Sequence, residues 1–211
     1  MSVLEEMQEN VIMGNESRVV ELTQKALDEG AGPEKILNEG FIPAMEIVGR
    51  KFQENEIYVP EMLMSARAMK AGMKLLEPFL TEAGVEPIGK IVIGTVKGDL
   101  HDIGKNLVAM MLEGGGFEVV DAGVDVSAQK FMNLIEENKP DILCLSALLT
   151  TTMGEIKNVI DSFKENSLRD DVKIMVGGAP LTDEYSKEIG ADGYSPDAAS
   201  AVALAKELLD K

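Results

Sequence analysis

The chain of 211 residues contains few of the side chains on which several classes of function depend. It has one cysteine and one histidine, and its 20 Lys and Arg are outnumbered by 37 Asp and Glu. Because Cys144 has no possible partner in the chain, an internal disulfide is excluded, and its apolar surroundings in sequence predict a small buried core residue. The net charge of −17 disfavours binding to nucleic-acid phosphates or to anionic membranes, which require clustered basic side chains.

Long apolar runs are also missing. Nowhere do about 18 apolar residues follow one another, as a membrane-spanning helix requires. The first residues show no basic segment followed by an apolar one, which a secretion signal would have. We therefore expect a cytoplasmic protein, and the length fits two domains of roughly a hundred residues each.

The first part of the chain reads as helical. Apolar residues recur there at helical spacing and predict four helices. Asn15 is a candidate N-cap of the second helix, and Pro33 suits the first turn of the third. We assign residues 1–81 to this helical domain. Residues 82–89, which are punctuated by Gly and Pro, are predicted to be a linker.

The periodicity changes from residue 90 onward. Short apolar runs typical of strands alternate with helical stretches, the runs being Ile91–Val96, Phe117–Val120, Ile142–Leu145, Val172–Val176 and a short one near Gly193 and Tyr194. Such alternation predicts right-handed crossovers and a parallel sheet covered by helices on both faces. The expected fold is therefore α/β, with an N-terminal four-helix bundle and a flavodoxin-like (Rossmann-like) five-stranded parallel sheet in residues 90–211.

The single histidine lies directly after the first predicted strand, in the segment Asp99-Leu-His101-Asp-Ile-Gly104. Ligands of open parallel sheets bind outside the carboxyl ends of the strands, where this loop is expected. Asp99 can hold one ring nitrogen of His101 while the other nitrogen faces a metal. A solvated surface histidine without such a role is the alternative interpretation.

Two further motifs follow strands of the same predicted sheet. Ser146-Ala-Leu148 begins after 41 intervening residues, and Gly177-Gly178 follows after another 28. Glycines leave room for a ligand to approach the backbone, and the hydroxyls near Thr150 supply hydrogen-bonding groups. Alternatively, the glycines form a plain turn and the threonines cap the next helix.

Asp-x-His-x-x-Gly, Ser-x-Leu and Gly-Gly at these spacings resemble the cobalamin-binding domain of methionine synthase and the corrinoid proteins that serve methyltransferases. The resemblance covers essentially the whole chain, and it implies cobalamin as the cofactor, with its lower base displaced from cobalt into a slot beside the sheet. It further implies that His101 is the axial cobalt ligand, that Asp99 accepts its second N–H, and that Thr152 extends this relay, where the best-known member has serine. The other implied cofactor-binding residues are Gly98, Asp102, Ile103, Gly104, Ser146, Leu148, Thr150, Gly177, Gly178, Ala179 and Tyr194.

The same resemblance implies a methyl carrier that cycles between Co(I) and methyl-Co(III). Its partners would be a substrate-specific methyltransferase, a second corrinoid-dependent methyltransferase and a reductive activating protein. Such a chain is a subunit of a methyltransferase system and not a complete enzyme. The helical domain would shield the methyl group, with Phe52, Tyr58 and Val59 at its contact surface, although all three could instead belong to the bundle core.

Two other cobalamin functions are alternatives. One is the cobalamin-binding subunit of an adenosylcobalamin-dependent mutase, against which the helical region argues. The other is a cobalamin-dependent regulator of DNA binding, for which the chain has no DNA-binding segment and an unsuitable charge.

Overall fold

The computed structural model describes residues 1–210. Met1–Pro87 form one compact unit, and most of the remaining chain, from Ile88 onward, forms a second. Within the described residues, none of the helices combines the length and the apolar character needed to cross a membrane.

The first unit is a helical bundle. Its elements are α1 (Val3–Ile12), α2 (Glu16–Asp28), α3 (Pro33–Ile36), a π-helical turn (Leu37–Phe41), α4 (Ile42–Gln53) and α5 (Val59–Glu82). The predicted cap of the second helix is present, because the Asn15 side chain accepts a hydrogen bond from the Arg18 N–H. Fully buried Met7, Leu22 and Met62 contribute to the core of this unit.

The third predicted helix is interrupted by the π-helical turn. Pro43 has no N–H, so the carbonyl of Glu39 lacks its usual helical donor. The Gln8 side chain donates to this carbonyl instead, at 2.6 Å. Phe41, at the end of the turn, is fully buried, and a Cβ at Gly72 would lie 2.5 Å from its ring. Glycine at position 72 therefore makes room for Phe41.

The second unit is a doubly wound α/β fold. Its elements are β1 (Lys90–Val96), α6 (Ile103–Gly114), β2 (Glu118–Val126), α7 (Ala128–Asn138), β3 (Ile142–Ser146), α8 (Met153–Glu165), β4 (Lys173–Gly177), α9 (Asp183–Ile189), β5 (Gly193–Tyr194) and α10 (Ala198–Leu208). All strand pairs are parallel, and the strand order is β2-β1-β3-β4-β5. The predicted flavodoxin-like sheet is confirmed.

Side chains alternate between two apolar layers. Ile93, Cys144 and Met175 face the layer formed with α6 and α10. Val92 and Leu143 face the opposite layer, formed with α7, α8 and α9. The expectation of a buried core cysteine is confirmed, and burial raises the pKa of Cys144 to about 12.

Candidate cofactor-binding site

Small residues end three neighbouring strands on one face of the sheet. Thr95, Ser146 and Gly177 are aligned across β1, β3 and β4. Each lies two positions beyond one of the apolar residues that face α6 and α10, and therefore on the same face. At the carboxyl edge of the sheet, a row of small residues therefore follows the apolar residues of this layer. Ser146 and Gly177, which are partly exposed, are suited to line a slot beside the sheet, whereas Thr95 is fully buried.

Asp99 is the most fully hydrogen-bonded carboxylate at this edge, and it is 0% exposed. Its Oδ1 accepts from the His101 backbone N–H at 3.1 Å and lies 2.6 Å from the His101 Nδ1 atom. Its Oδ2 accepts from the N–H groups of Leu148 at 2.7 Å and Leu149 at 3.3 Å, and from the Thr152 hydroxyl at 2.7 Å.

These donors determine the charge of the carboxylate. Burial by itself would raise the pKa of Asp99, but the hydrogen bonds from Leu148, Thr152 and His101 together hold it well below its usual range. Asp99 is therefore ionised at neutral pH, and its negative charge lies against one ring nitrogen of His101.

The His101 side chain is 51% exposed. Because ionised Asp99 can only accept, the Nδ1 atom of His101 carries the proton in the neutral ring, and Nε2 keeps its lone pair. The Thr95 hydroxyl donates to the His101 carbonyl oxygen at 2.8 Å and holds the backbone of the loop. A carboxylate on one nitrogen and an accessible lone pair on the other is the usual arrangement of a metal-ligating histidine.

Thr152 has a role that differs from ordinary helix capping. It stands at the N-cap position of α8, yet its side chain makes no capping hydrogen bond. The hydroxyl instead contacts Asp99, and it lies 3.0 Å from the Leu149 carbonyl oxygen. The simple capping interpretation is therefore wrong for Thr152.

Large apolar side chains around the imidazole are exposed. Leu100 is 72% and Ile103 73% exposed, and Leu148 and Leu149 are also exposed. Several exposed large apolar side chains at one edge of a sheet are typical of a ligand site. Asp102, Thr150 and Ala179 on the neighbouring loops are exposed as well, and so is Gly104 in the first turn of α6.

The glycines of the site differ in what surrounds them. A Cβ at Gly104 would meet no atom within 4 Å, so this glycine leaves open space. Gly98 has φ +79°, which favours glycine for backbone reasons. Gly178 has φ +132°, and its Cβ would lie 1.8 Å from the Ala147 carbonyl oxygen. A Cβ at Gly177 would lie 3.2 Å from the Ser195 carbonyl oxygen. The plain-turn interpretation therefore accounts for Gly178.

Not every predicted residue joins the site. The Tyr194 side chain packs against the apolar layer formed with α7, α8 and α9, on the face opposite Ser146. Strand alternation explains this correction, because neighbouring Gly193 is the residue that faces Leu204 of α10. Ser195 follows Tyr194 and is buried at the edge of β4, where its N–H donates to the Val176 carbonyl at 3.1 Å.

Three predicted residues lie in the helical unit. Tyr58 and Val59 are exposed, and Phe52 is half-buried. The bundle-core alternative is therefore wrong for Tyr58 and Val59.

Sequence reasoning missed Thr95 and Ser195. Thr95 is fully buried, yet it is the hydroxyl that anchors the His101 backbone. The alternation of side chains along β1 could have predicted its position, because Thr95 lies two residues beyond Ile93 and therefore on the same face. Ser195 had no comparable signal, because β5 is only two residues long.

A doubly wound sheet whose carboxyl edge presents a carboxylate-held histidine beside a row of small residues defines a class: an α/β protein that binds a metal-containing cofactor. Residues 89–203 match the family described as B12 binding domain, and residues 3–77 match a second family with the same description.

Known proteins of this class are similar to the chain over nearly its whole length. The chain is 44% identical to a corrinoid protein of Desulfitobacterium hafniense, covering 100% of this chain and 99% of the relative. It is also 44% identical to dimethylamine corrinoid protein 3 of Methanosarcina acetivorans, covering 98% and 97%. The solved methanol:cobalamin methyltransferase complex of Methanosarcina barkeri matches with a TM-score of 0.87 and 30% identity, over 99% of this chain and 80% of that chain. The protein belongs to the B12-binding corrinoid protein family.

Proposed function

We propose that this protein carries a methyl group on cobalamin between two methyltransferases. The observation that carries the proposal is the His101 ring, held at Nδ1 by buried, ionised Asp99 and half-exposed at its other side. The names of its relatives support the methyl-carrier role, since they include a dimethylamine corrinoid protein and a methanol:cobalamin methyltransferase complex.

Cobalamin, when bound, supplies a cobalt centre that accepts and releases methyl groups. In this chain the Nε2 atom of His101 would ligate the cobalt. Negative charge on Asp99 raises the electron density of that ring and would strengthen it as a metal ligand. The N–H groups of Leu148 and Leu149 and the Thr152 hydroxyl draw part of this charge away from the imidazole. The balance between these donors and the ring would set how tightly His101 binds the metal.

The slot and the loops would hold the rest of the cofactor. Ser146 and Gly177, together with the open space over Gly104, are suited to take the displaced nucleotide end. The exposed Leu100 and Ile103 are suited to the apolar rim of a large ring. Gly98, Asp102, Leu148, Thr150, Gly178 and Ala179 complete the proposed binding loops.

The other elements of the role are proposals as well. Residues 1–81 would form a cap over the methyl face, joined by residues 82–89 to the sheet domain, and the exposure of Tyr58 and Val59 leaves both available for this. The partners would be a substrate-specific methyltransferase, a second corrinoid-dependent methyltransferase and a reductive activating protein in the cytoplasm.

Isotope labelling of the only histidine tests the ligand assignment. Protein loaded with cobalamin should contain about one cofactor per chain and, as Co(II), should show an electron paramagnetic resonance spectrum split by one axial nitrogen. Labelling with ¹⁵N-histidine should convert each triplet to a doublet, because His101 is the only histidine. The variant His101→Ala should lose the splitting and bind cobalamin about 10- to 100-fold more weakly.

A triplet that survives ¹⁵N-histidine labelling would assign the axial nitrogen to the cofactor's own base and contradict the proposal. The carrier role has its own measurement: reduced holoprotein is mixed with the methyltransferase subunit of a dimethylamine or methanol system and its substrate. Methylation should change the cobalt absorption spectrum. No spectral change with either system, in protein that shows the histidine doublet, would argue for another use of the cofactor.

A further inference from the structure

Lys105 places a buried ammonium group at this edge of the sheet. Its side chain is 2% exposed, although it lies in the first turns of α6 just beyond the histidine loop. Its Nζ atom lies 2.6 Å from both carboxylate oxygens of Asp121 and 2.6 Å from the Asn106 Oδ1 atom. An ammonium has three protons, and here it has three acceptors. Burying a charge is unfavourable, and it is tolerated here because each proton of the ammonium group has an acceptor.

Asp121 lies at an irregularity in the edge strand β2. Ile93 pairs with Asp121 and Gly94 pairs with Gly123, so Ala122 is an extra residue that forms a β-bulge. The Asp121 carboxylate also accepts from the Gly123 N–H at 2.9 Å. One carboxylate therefore closes the bulge and binds the ammonium of α6.

The contacts continue from Lys105 to the residue next to the histidine. Asn106 accepts from Lys105, donates its side-chain amide to the Asp102 carboxylate at 3.2 Å, and donates its backbone N–H to the Asp102 carbonyl at 2.7 Å. Asp102 directly follows His101. A chain of hydrogen bonds therefore runs from β2 to the carboxyl-terminal flank of the histidine.

The same strand holds the other flank. Asp125, in left-handed conformation with φ +53°, accepts from the Gly98 N–H at 2.7 Å and donates its own N–H to the Asp99 carbonyl at 3.0 Å. Strand β2 therefore contacts the loop on both sides of His101. The two flanks differ in how β2 contacts them: on the Gly98–Asp99 side it bonds backbone groups of the loop, whereas on the other side it pairs through Asp121 with the buried Lys105 side chain.

We propose that Lys105, through its ion pair with Asp121, is a positioning residue that sets where His101 stands relative to the sheet. The inference rests on the proposed function, in which His101 ligates cobalt. Asp99 determines which ring nitrogen carries the proton, whereas Lys105 determines the place of the backbone that carries the ring, on which the contact between His101 and Asp99 depends.

The test uses the full chain with and without cobalamin. Lys105→Met removes the buried charge and leaves half-exposed Asp121 free to be hydrated, so we expect it to fold. In cofactor-free protein labelled with ¹⁵N-histidine, nuclear magnetic resonance reports the tautomer of the single ring. The wild type should show the Nδ1–H tautomer, and Lys105→Met should show a mixture of tautomers. The variant should also bind cobalamin at least several-fold more weakly and show a reduced fraction of histidine-ligated Co(II).

Arg169→Met is the matched control. Arg169 pairs with Asp192 at 2.8 Å and is also largely buried, but it contacts the amino-terminal part of β4 through Asp192, which accepts from the Ile174 N–H. This variant should lose stability without any change in the ring signals or the cobalt spectrum.

Unchanged ring shifts and unchanged cobalamin affinity in Lys105→Met would overturn the inference. Equal changes in Arg169→Met would overturn it too, because they would show a general effect of lost stability. If Lys105→Met does not fold, Asn106→Leu decides, since it removes the side-chain hydrogen bonds of Asn106 with Lys105 and Asp102 and keeps the Lys105–Asp121 pair. Unchanged ring shifts in this variant would overturn the inference. A tautomer change in protein that binds no cobalamin even as wild type would support the positioning role and refute the proposed function.

Discussion

The two sides of the His101 imidazole are built differently. On the Nδ1 side lies fully buried Asp99, whose oxygens are all engaged by donors from the His101 backbone and the Leu148–Thr152 loop. On the other side the ring is exposed, among exposed Leu100 and Ile103. The difference teaches that some residues at this edge of the sheet maintain the fold, whereas others leave space for a ligand.

The glycines of the site show the same division. Gly178 approaches the Ala147 carbonyl so closely that the fold itself requires glycine, whereas Gly104 borders open space. From their residue type alone the two are indistinguishable. A substitution at Gly178 should therefore lower the stability of the fold. A substitution at Gly104 should instead leave stability unchanged and weaken binding of the cofactor.

The largest effect is expected at Gly178. Gly178→Ala places a Cβ 1.8 Å from the Ala147 carbonyl oxygen at φ +132°, so the backbone must shift. We expect a loss of about 3 kcal/mol or more in the free energy of unfolding, measured by urea denaturation. Gly154→Ala, at a helical glycine with open surroundings, is the control. Equal midpoints for Gly178→Ala and wild type would show that Gly178 is not required by the fold.

A smaller and pH-dependent effect is expected at Asp99. Asp99→Asn should lower the free energy of unfolding at pH 7 by about 2 kcal/mol, because hydrogen bonds to a buried charge are lost. The pKa of Asp99 is lowered in the folded state from its ordinary value of 3.8. The stabilisation by the wild-type carboxylate is therefore complete above about pH 4 and is lost as the pH falls toward the folded pKa.

Unfolding of both proteins between pH 7 and pH 3 measures this difference. The gap between wild type and Asp99→Asn should narrow at the acid end. Asp161→Asn, which removes an exposed ion pair with Lys157, should change stability much less than Asp99→Asn at any pH. A gap that stays constant down to pH 3 would contradict the assigned charge state of Asp99.

The smallest effect is expected at Gly104 and concerns binding. Gly104→Leu should leave stability unchanged or raise it by up to about 0.8 kcal/mol, since glycine disfavours helices. Cobalamin affinity should fall at least tenfold, about 1.4 kcal/mol, if the open space is used by the cofactor. Gly154→Leu places the same side chain in the first turn of α8, which packs on the opposite face of the sheet. Equal affinities of the two variants, measured by calorimetry, would show that the space over Gly104 is not part of the site.

The sequence by itself determined the elements, the strand order and the loops that meet. Periodicity of two and of 3.6 separates strands from helices locally, and parallel crossover rules then leave few arrangements, so the loops after β1, β3 and β4 had to share one edge. The segment after β1 also pointed to His101 and Asp99, and the family resemblance added Thr152; the structure brings the three together.

Only the tertiary structure decided which face and which neighbours each residue has. Tyr194 lies on the face opposite Ser146. The sequence could not predict this, because β5 has only two residues and shows no alternation of apolar and polar side chains. Gly178 and Gly104 differ only in what approaches them from elsewhere in the chain. The pairing of Lys105 with Asp121 depends on a bulge in β2 that places the two in contact. Local pattern determines where a side chain points along its own element, whereas burial, close approach and pairing depend on residues distant in sequence.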